Sequence, residues 1–331
     1  MSAKRQTEEK FKTMIGGQAL IEGIMMRGPK LDAIVTRGKD GLHVETTPRK
    51  VRPKGSVLTW PFIRGAVNFF DSQVTGVKAL MRSADLSPDE TAIEPSKFDQ
   101  WLEKKLGDKK FQSYLVGSAV ALGMGMSILL FFIIPIIIGG FFSKWIPNNL
   151  LQNLVEGLIR ILIFLGYMIV VSRIGEMKRV FSYHGAEHKT IRCYEAGLEL
   201  TVENVRKQSR MHPRCGTSFL LVVLILSILV FSVASTILLT VIPGLAALEG
   251  SALYRVIMVA LKLLLLPLVV SVSYEVNRLV GRYDNAFTRL LTVPGMWFQN
   301  FTTNEPDDGM IEVGIASLKA VLPEQEGDDR W

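Results

Sequence analysis

The sequence is poor in the residues that most often carry metal and redox chemistry, with four histidines and two cysteines among 331 residues. Two cysteines are too few for a secreted module held together by disulfides. Hydrophobic residues make up 48% of the chain and charged residues 21%, a balance that excludes an intrinsically disordered chain. The apolar residues cluster in four long runs after residue 114, which excludes a simple soluble enzyme.

Each of the four apolar runs is long enough to cross a membrane, since a spanning helix needs about 20 such residues. They are Leu115–Phe142, about Leu154–Val171, Ser218–Ile242 and about Ala252–Tyr274. The first run contains no charge, and Pro135 is expected to bend it. The cations inside the second and fourth runs are expected to snorkel outward or to pair with Glu156, and they are Arg160, Arg255 and Lys262.

The distribution of Lys and Arg predicts which side of the membrane each loop faces. About 20 of the 38 basic residues precede the first run, and nine lie between the second and third. The short loops at 143–153 and 243–251 hold one and none. Both termini and the long central loop are therefore expected to face the cytoplasm. The net charge of +7 follows from this bias and from attraction to membrane lipids, so nucleic acid is not expected as a partner.

The N-terminal segment has the pattern of a small β-rich unit. The residues around the turn sequence GKDG predict a hairpin with strands at Ile34–Thr36 and Leu42–Thr46. The preceding stretch Gly16–Pro29, GGQALIEGIMMRGP, combines paired glycines with paired methionines. It predicts a strand and turn packed on the next domain, and the alternative is a site lined by Gln18, Glu22 and Arg27.

Two further segments have the amphipathic pattern of helices that lie in the membrane interface. Residues 58–82 place apolar groups at helical spacing but carry charges that a spanning helix would exclude. A second such piece surrounds Trp297. A capped helix is expected to follow, because Pro306, Asp307 and Asp308 suit a first helical turn.

The predicted fold class is an α-helical membrane protein with four transmembrane helices, a small β-rich N-terminal cytoplasmic unit and interfacial amphipathic helices. The boundaries divide the chain into six stretches. They are the β-rich unit at 1–56, the amphipathic helix with a charged connector at 57–113, spans one and two at 114–173, a cytoplasmic His/Cys loop at 174–217, spans three and four at 218–276, and a cytoplasmic tail at 277–331.

The central loop contains the chemistry, since five of the six His and Cys residues lie between His184 and Cys215. His184, Glu187 and His188 form H-x-x-E-H, which on a helix brings both imidazoles to one face with the carboxylate beside them. This pattern occurs in inverted zinc peptidases, where the glutamate is the general base. Gly185 either weakens this helix by about 1 kcal/mol or marks a close approach of another segment.

A third metal ligand is needed, and several side chains have suitable chemistry. His212 and Cys215 form H-P-R-C, and Glu275 ends the fourth run at the expected cytoplasmic surface, where an ionisable group is a functional candidate. Glu195 is a further acidic choice. In the structural alternative the two helix histidines bind lipid phosphates, Cys215 is a packed thiol and Glu275 pairs with Arg278 or Arg282.

Five stretches are together similar to the YqhQ family of bacterial membrane proteins. They are GGQALIEGIMMRGP, HGAEHKTIRCYE, RMHPRCGTSF, SYEVNR and LTVPGMWFQNFTTNEPDDGMIEVGI, and the resemblance covers nearly the whole chain. It implies a multi-span protein of the bacterial cytoplasmic membrane. The family is labelled as a predicted metal-dependent enzyme, a label inferred from motifs of this kind, and the resemblance implies no substrate.

Two classes of function follow from the sequence. In the first, a divalent metal, expected to be zinc, is held by His184, His188 and one of His212, Cys215 or Glu275, with Glu187 as the base of a hydrolase. Its substrate is a lipid headgroup or a membrane-protein segment. In the second, the chain is a non-enzymatic factor for membrane-protein biogenesis with a translocon or ribosome partner, and the cluster is structural. Polar residues in the runs are too sparse for a transporter.

Overall fold

A computed structural model describes residues 10–49, 52–53, 55–86, 108–142, 145–146, 149–248, 251–283, 285–325 and 327–330. Most of the charged connector expected before the first run lies outside the described residues. By their internal contacts the described residues form two compact units. Unit 1 takes its residues from Met1–Pro88, Gly166–Leu226 and Leu266–Trp331, and unit 2 from Asp89–Leu165 and Ser227–Leu265.

The described chain is mostly helical, with one small sheet near its start. The strands are β1 (Gly16–Leu20), β2 (Gly23–Arg27), β3 (Leu31–Gly38) and β4 (Gly41–Pro48). The helices are α1 (Ile63–Leu86), α2 (Asp108–Ile128), α3 (Ile134–Phe142), α4 (Asn149–Val171), α5 (Gly175–Glu195), α6 (Val202–Arg206), α7 (Gly216–Val241), α8 (Pro243–Ala246), α9 (Ala252–Arg282), α10 (Ala286–Thr302) and α11 (Asp308–Lys319).

Four helical stretches among the described residues are long and apolar enough to cross a membrane, as the sequence predicts. They are Tyr114–Phe142, Leu150–Val171, Gly216–Val241 and Ala252–Arg282. The fourth continues well past the predicted end at Tyr274. The capped C-terminal helix is also confirmed, because the Asp307 side chain accepts from the Met310 N–H at 2.8 Å at the start of α11.

Pro135 alters the first candidate span without ending it. It follows a π-helical turn, Leu129–Ile133, and it has no N–H to donate to the Phe131 carbonyl one turn earlier. That carbonyl instead accepts from Arg160 Nε at 2.7 Å. The Arg160 guanidinium also lies over the rings of Phe132 and Phe231, 5.5 and 5.3 Å from their centres. Arg160 of one helix of unit 2 thus satisfies the carbonyl that Pro135 leaves without a backbone donor in another.

The Glu156 partner in unit 2 is Lys262, whose ammonium group forms an ion pair with the Glu156 carboxylate. Lys262 is almost fully buried, so an unpaired charge at this position would be costly in an apolar setting. The sequence predicted that the cations of these runs either snorkel outward or pair with Glu156, and Lys262 pairs with Glu156.

The sheet is antiparallel in the order β1-β2-β3-β4. The predicted GKDG hairpin is β3–β4, in which Gly38 pairs with Gly41 across a two-residue turn. Gly41 has a φ of 120°, a conformation that favours glycine. The Gly16–Pro29 stretch forms the β1–β2 hairpin, which agrees with the strand and turn expected there.

The turn of the β1–β2 hairpin places Glu22 at a φ of 49°, in the left-handed region. Its carboxylate accepts from Arg179 Nη2 at 2.6 Å and from the Tyr183 hydroxyl at 3.0 Å, both on α5. Its carbonyl accepts from the Arg37 N–H at 2.8 Å. These contacts offset the unfavourable backbone conformation and hold the hairpin against α5.

Both faces of β2 are buried, which explains its apolar sequence GIMMR. Ile24 and Met26 face a core built from one side of the sheet, α5 and α11. Met25 points the opposite way, into a smaller cluster with Leu20 and with Ala79 of α1. Side chains alternate along a strand, so paired methionines fill two different cores. The sheet of unit 1 therefore lies between α1 on one face and α5 with α11 on the other.

We expect Leu318→Ala to destabilise unit 1 by about 2–5 kcal/mol, because Leu318 of α11 is fully buried in the main core and its loss leaves a cavity. Thermal unfolding of the purified protein in detergent measures the effect as a fall in Tm. Lys319→Ala, at the exposed next position, is the matched control. Equal Tm values for the two variants would contradict this account of the core.

Candidate metal centre

Helix α5 presents His184, Glu187 and His188 on one buried face, as the H-x-x-E-H spacing predicts. The two imidazole rings lie 4.3 Å apart between centres. Gly185 lies between them in sequence, and the Asn304 carbonyl occupies the space that a Cβ at residue 185 would need. The glycine therefore marks a close approach of the segment after α10, which compensates for its low helix propensity.

Cys215 completes a three-residue group with the two histidines. One potential ligand atom from each of His184, His188 and Cys215 lies within 4.8 Å of the other two, and all three side chains are buried. The His184 Nε2 atom is 3.2 Å from the Cys215 Sγ atom. Two imidazoles and a thiolate are ligands that suit zinc.

Backbone carbonyls orient both imidazoles of this group. His184 Nδ1 is 2.8 Å from the Thr302 carbonyl oxygen, and His188 Nδ1 is 2.6 Å from the Arg210 carbonyl oxygen. Donation from Nδ1 leaves Nε2 of each ring as the nitrogen able to bind a cation. A carbonyl partner behind each ligand histidine is the usual arrangement in metal sites.

Charge around the group favours an ionised thiol. Burial raises the pKa of the Cys215 thiol, but His188 and His184 lower it more, so the pKa lies well below its usual range. Burial lowers the pKa of His184, whereas the Cys215 thiolate and Glu187 raise it, to about 9. A thiolate is the form in which cysteine binds metals and acts as a nucleophile.

Glu187 lies beside the group, with a carboxylate oxygen 3.8 Å from His184 Nε2. Its other oxygen accepts from the Gly17 N–H of β1 at 3.0 Å. A Cβ at residue 17 would come within 3.0 Å of the Glu187 side chain, so the glycine allows the strand to approach this closely. Burial raises the pKa of Glu187, although the two histidines lower it, and a raised pKa suits a group that takes and releases a proton.

His212 lies next to the group but has other partners. Its ring centre is 5.6 Å from that of His188, and its Nε2 atom is 3.2 Å from the Glu195 carboxylate. Glu195 also pairs with Arg214 and accepts from the Thr13 N–H at 2.9 Å. Burial, together with the charge of Arg214, holds the pKa of His212 well below its usual range. His212 thus lines the same cavity as the three candidate ligands but is held by Glu195, and the two form a supporting layer beside the group.

Glu275, a candidate ligand from the sequence, does not join the group. Its carboxylate accepts from Arg64 Nε of α1 at 2.7 Å and forms a bidentate ion pair with the Arg64 guanidinium. This fork geometry satisfies both carboxylate oxygens. The structure therefore assigns Glu275 to the contact between α1 and α9, with Arg64 in place of the arginines at 278 and 282 that the sequence offered as its partners.

Sequence reasoning missed the residues that hold the group in place. Gln299 of α10 is fully buried, accepts from the His212 N–H at 2.8 Å and donates to the His212 carbonyl at 2.7 Å. The Gly17 N–H was missed as well. Only the glycine pair at residues 16–17 signalled that the backbone would approach another segment there, and nothing local signalled Gln299.

A cavity of about 290 Å³ opens onto the group. His184, Glu187, His188 and Cys215 all line it. Arg27, which the sequence offered as part of a possible site, lines it as well. The buried residues are therefore accessible to a small molecule from this side.

Fold and cluster together define an α-helical protein with four candidate membrane spans and a buried His/Cys/Glu group. A family model described as "Protein of unknown function (DUF1385)" matches residues 60–324, a range that contains the whole group. The "Uncharacterized protein YqhQ" of Bacillus subtilis (strain 168) is 33% identical over 323 residues, or 96% of this chain and 94% of that protein. The chain belongs to this DUF1385 family, which confirms the resemblance seen in its sequence. No solved structure matches it.

We expect Glu195→Ala to lower the stability of the protein by about 3–5 kcal/mol, because it removes a fully buried carboxylate that pairs with Arg214 and His212 and accepts from the Thr13 N–H. A fall in Tm measures the loss. Glu199→Ala removes an exposed carboxylate four residues away and should leave Tm nearly unchanged. Similar Tm values for both variants would show that the supporting layer is not needed for folding.

Proposed function

We propose that the chain is a metal-dependent hydrolase of the zinc type, with its site at the cytoplasmic surface of the bacterial membrane. The observation that carries the proposal is the convergence of two histidines from α5 and a cysteine from the segment just before α7, with Glu187 beside them. Three protein ligands with a fourth position open to water or substrate are typical of catalytic zinc. Structural zinc sites instead have four protein ligands.

His184, His188 and Cys215 would hold the ion, and Zn²⁺ bound there would supply Lewis-acid activation of a water molecule and of the substrate. Glu187 then takes one proton as the water oxygen bonds to the acyl carbon or phosphorus. The bond to the leaving oxygen or nitrogen breaks, and Glu187 returns the proton to that atom. The Gly17 N–H orients the carboxylate for both transfers.

Support for a location at the membrane surface comes from two helices of unit 1. Helix α1 exposes Phe70, Val74, Val77 and Met81 along one stripe. Helix α10 exposes a similar apolar stripe that includes Trp297. Helices of this kind lie in the plane of the membrane interface with the apolar face toward lipid. The excess of Lys and Arg in both termini and the central loop supports the cytoplasmic side.

The central test is the metal content of the full chain, purified without chelators and measured by elemental analysis. We expect stoichiometric metal in the wild type and its loss in His184→Ala with His188→Ala, since two of three ligands are removed. His43→Ala removes the one histidine outside the cluster, on β4, and is the matched control. Absence of metal from the wild type would refute the proposal.

Cobalt substitution tests the cysteine ligand separately. The Co²⁺ form should show a thiolate-to-metal charge-transfer band that Cys215→Ser abolishes and Cys193→Ser retains, because Cys193 lies outside the group. Glu187→Gln should keep the metal and lose function in the cell, since a base is needed only by an enzyme. Full function of Glu187→Gln would favour the biogenesis factor that the sequence left as the alternative.

Membrane topology has its own test in the living cell. We expect green fluorescent protein fused after Trp331 to fluoresce, and alkaline phosphatase to be active when inserted at Gly244 but inactive after Trp331. The reason is the absence of basic residues from the 243–251 loop and their abundance in the N-terminal region and the central loop. Active alkaline phosphatase at the C-terminus would invert the topology and move the site to the other side of the membrane.

A further inference from the structure

Two larger cavities adjoin the one at the candidate metal centre, and they differ in chemistry. One, of about 1000 Å³, shares Met14, Arg27 and Arg49 with it. The other, of about 550 Å³, shares Gly17, His184 and Gly216 with it. All three lie within unit 1. We name them the central, basic and apolar cavities.

The basic cavity has an excess of positive charge. Six cationic side chains line it, against two carboxylates, and the cations are Arg27, Arg49, Arg52, Arg64, Lys78 and Arg278. Arg64 is already paired with Glu275, which leaves five cations facing the two carboxylates. Both carboxylates, Asp32 and Asp71, are engaged by Arg27. An anion is therefore the complementary occupant, and arginine is well suited to hold phosphate.

Arg49 lies where the basic and central cavities meet. Its Nη1 atom donates to the Gly28 carbonyl at 2.9 Å, and among the described residues Asp32 and Asp71 act on it only from beyond ion-pair distance. Burial lowers the pKa of Arg49, and the nearby charge of Arg27 lowers it further. Two neighbouring guanidinium groups in a partly enclosed space are stabilised by an anion between them.

The apolar cavity lies where two candidate spans meet the rest of unit 1. Phe219 and Leu220 from the start of α7, Phe69 of α1 and Phe181 of α5 line it. Tyr274 of α9 lines both this cavity and the basic one, as does Asn68, whose side chain donates to the Tyr274 hydroxyl at 2.9 Å. The central cavity, which the catalytic candidates line, shares residues with both of the others and so lies between them.

We infer that the substrate is a phosphate-bearing lipid, with its anionic headgroup in the basic cavity and an acyl chain in the apolar cavity. This inference rests on the proposed function, because the linkage to be hydrolysed would lie between the two, beside His184 and Glu187. A soluble anion would leave the apolar cavity unfilled, and a neutral lipid would leave the excess positive charge around Arg49 uncompensated. Pockets of this size and mixed lining are typical of small-molecule sites.

The test is binding of dioctanoyl phosphatidylglycerol to the purified full chain in a neutral detergent, by isothermal titration calorimetry. Dioctanoyl phosphatidylcholine and inorganic phosphate are the comparison probes. We expect phosphatidylglycerol to bind about tenfold or more tightly than either probe, because phosphatidylcholine lacks the net negative charge and inorganic phosphate lacks the acyl chains. Equal binding of the two lipids, or of inorganic phosphate and phosphatidylglycerol, overturns the inference.

Variants identify the two cavities as the binding site. Arg49→Gln should weaken phosphatidylglycerol binding by about tenfold, and Lys78→Gln should weaken it as well. Lys319→Gln removes a charge far from the basic cavity and should leave binding unchanged. Leu220→Trp should weaken it by filling the apolar cavity, whereas Leu229→Trp, at an exposed position further along α7, should not. Tm values verify folding. Binding that neither Arg49→Gln nor Leu220→Trp changes contradicts the assignment.

The same titration on His184→Ala with His188→Ala separates this inference from the proposed function. Retained lipid binding in that variant supports the lipid site, because its affinity then comes from the two flanking cavities. If the wild type contains metal but does not bind phosphatidylglycerol selectively, the hydrolase proposal stands and the phospholipid substrate is overturned. If the wild type binds phosphatidylglycerol selectively but contains no metal, the phospholipid site stands and the hydrolase proposal is overturned.

Discussion

The structure depends on one constraint, which is that a strongly polar stretch of α5 is buried. His184, Glu187, His188, Lys189, Arg192 and Glu195 are each less than 10% exposed. Buried polar and charged groups are unfavourable unless they find partners, so every neighbouring segment must supply some. The partners include the Gly17 N–H, the Arg206, Arg210, Met211 and Thr302 carbonyls, Arg214 and Glu305.

This requirement explains why separate parts of the sequence converge in unit 1. The sheet supplies an N–H group and, through Glu22, a clamp on Arg179 and Tyr183. The segment before α7 supplies carbonyls and a thiol, and α10 supplies Gln299 and Thr302. The same convergence that satisfies the helix produces the three-residue group and its cavity. Stability and the candidate chemistry therefore have a common origin.

Much of the architecture was predictable because its signals are local. Long apolar runs predicted the four candidate spans, GKDG predicted the β3–β4 hairpin, and Asp307 marked the start of α11. The H-x-x-E-H spacing placed His184, Glu187 and His188 on one helix face, since residues four apart share a face. Glu275 was assigned less well, because nothing near it in sequence indicates that Arg64, 211 residues away, occupies its carboxylate.

By itself, the sequence determined the elements of this protein and the residues that can bind a metal. Hydrophobic periodicity and motif spacing act over a few residues, so they are readable without the fold. Tertiary structure alone decided which candidates meet. Cys215 joins the two helix histidines whereas His212 is held by Glu195, although the two lie in one four-residue motif. The reason is physical: partner choice in a buried polar group depends on distances between segments remote in sequence, and those distances exist only once the chain has packed.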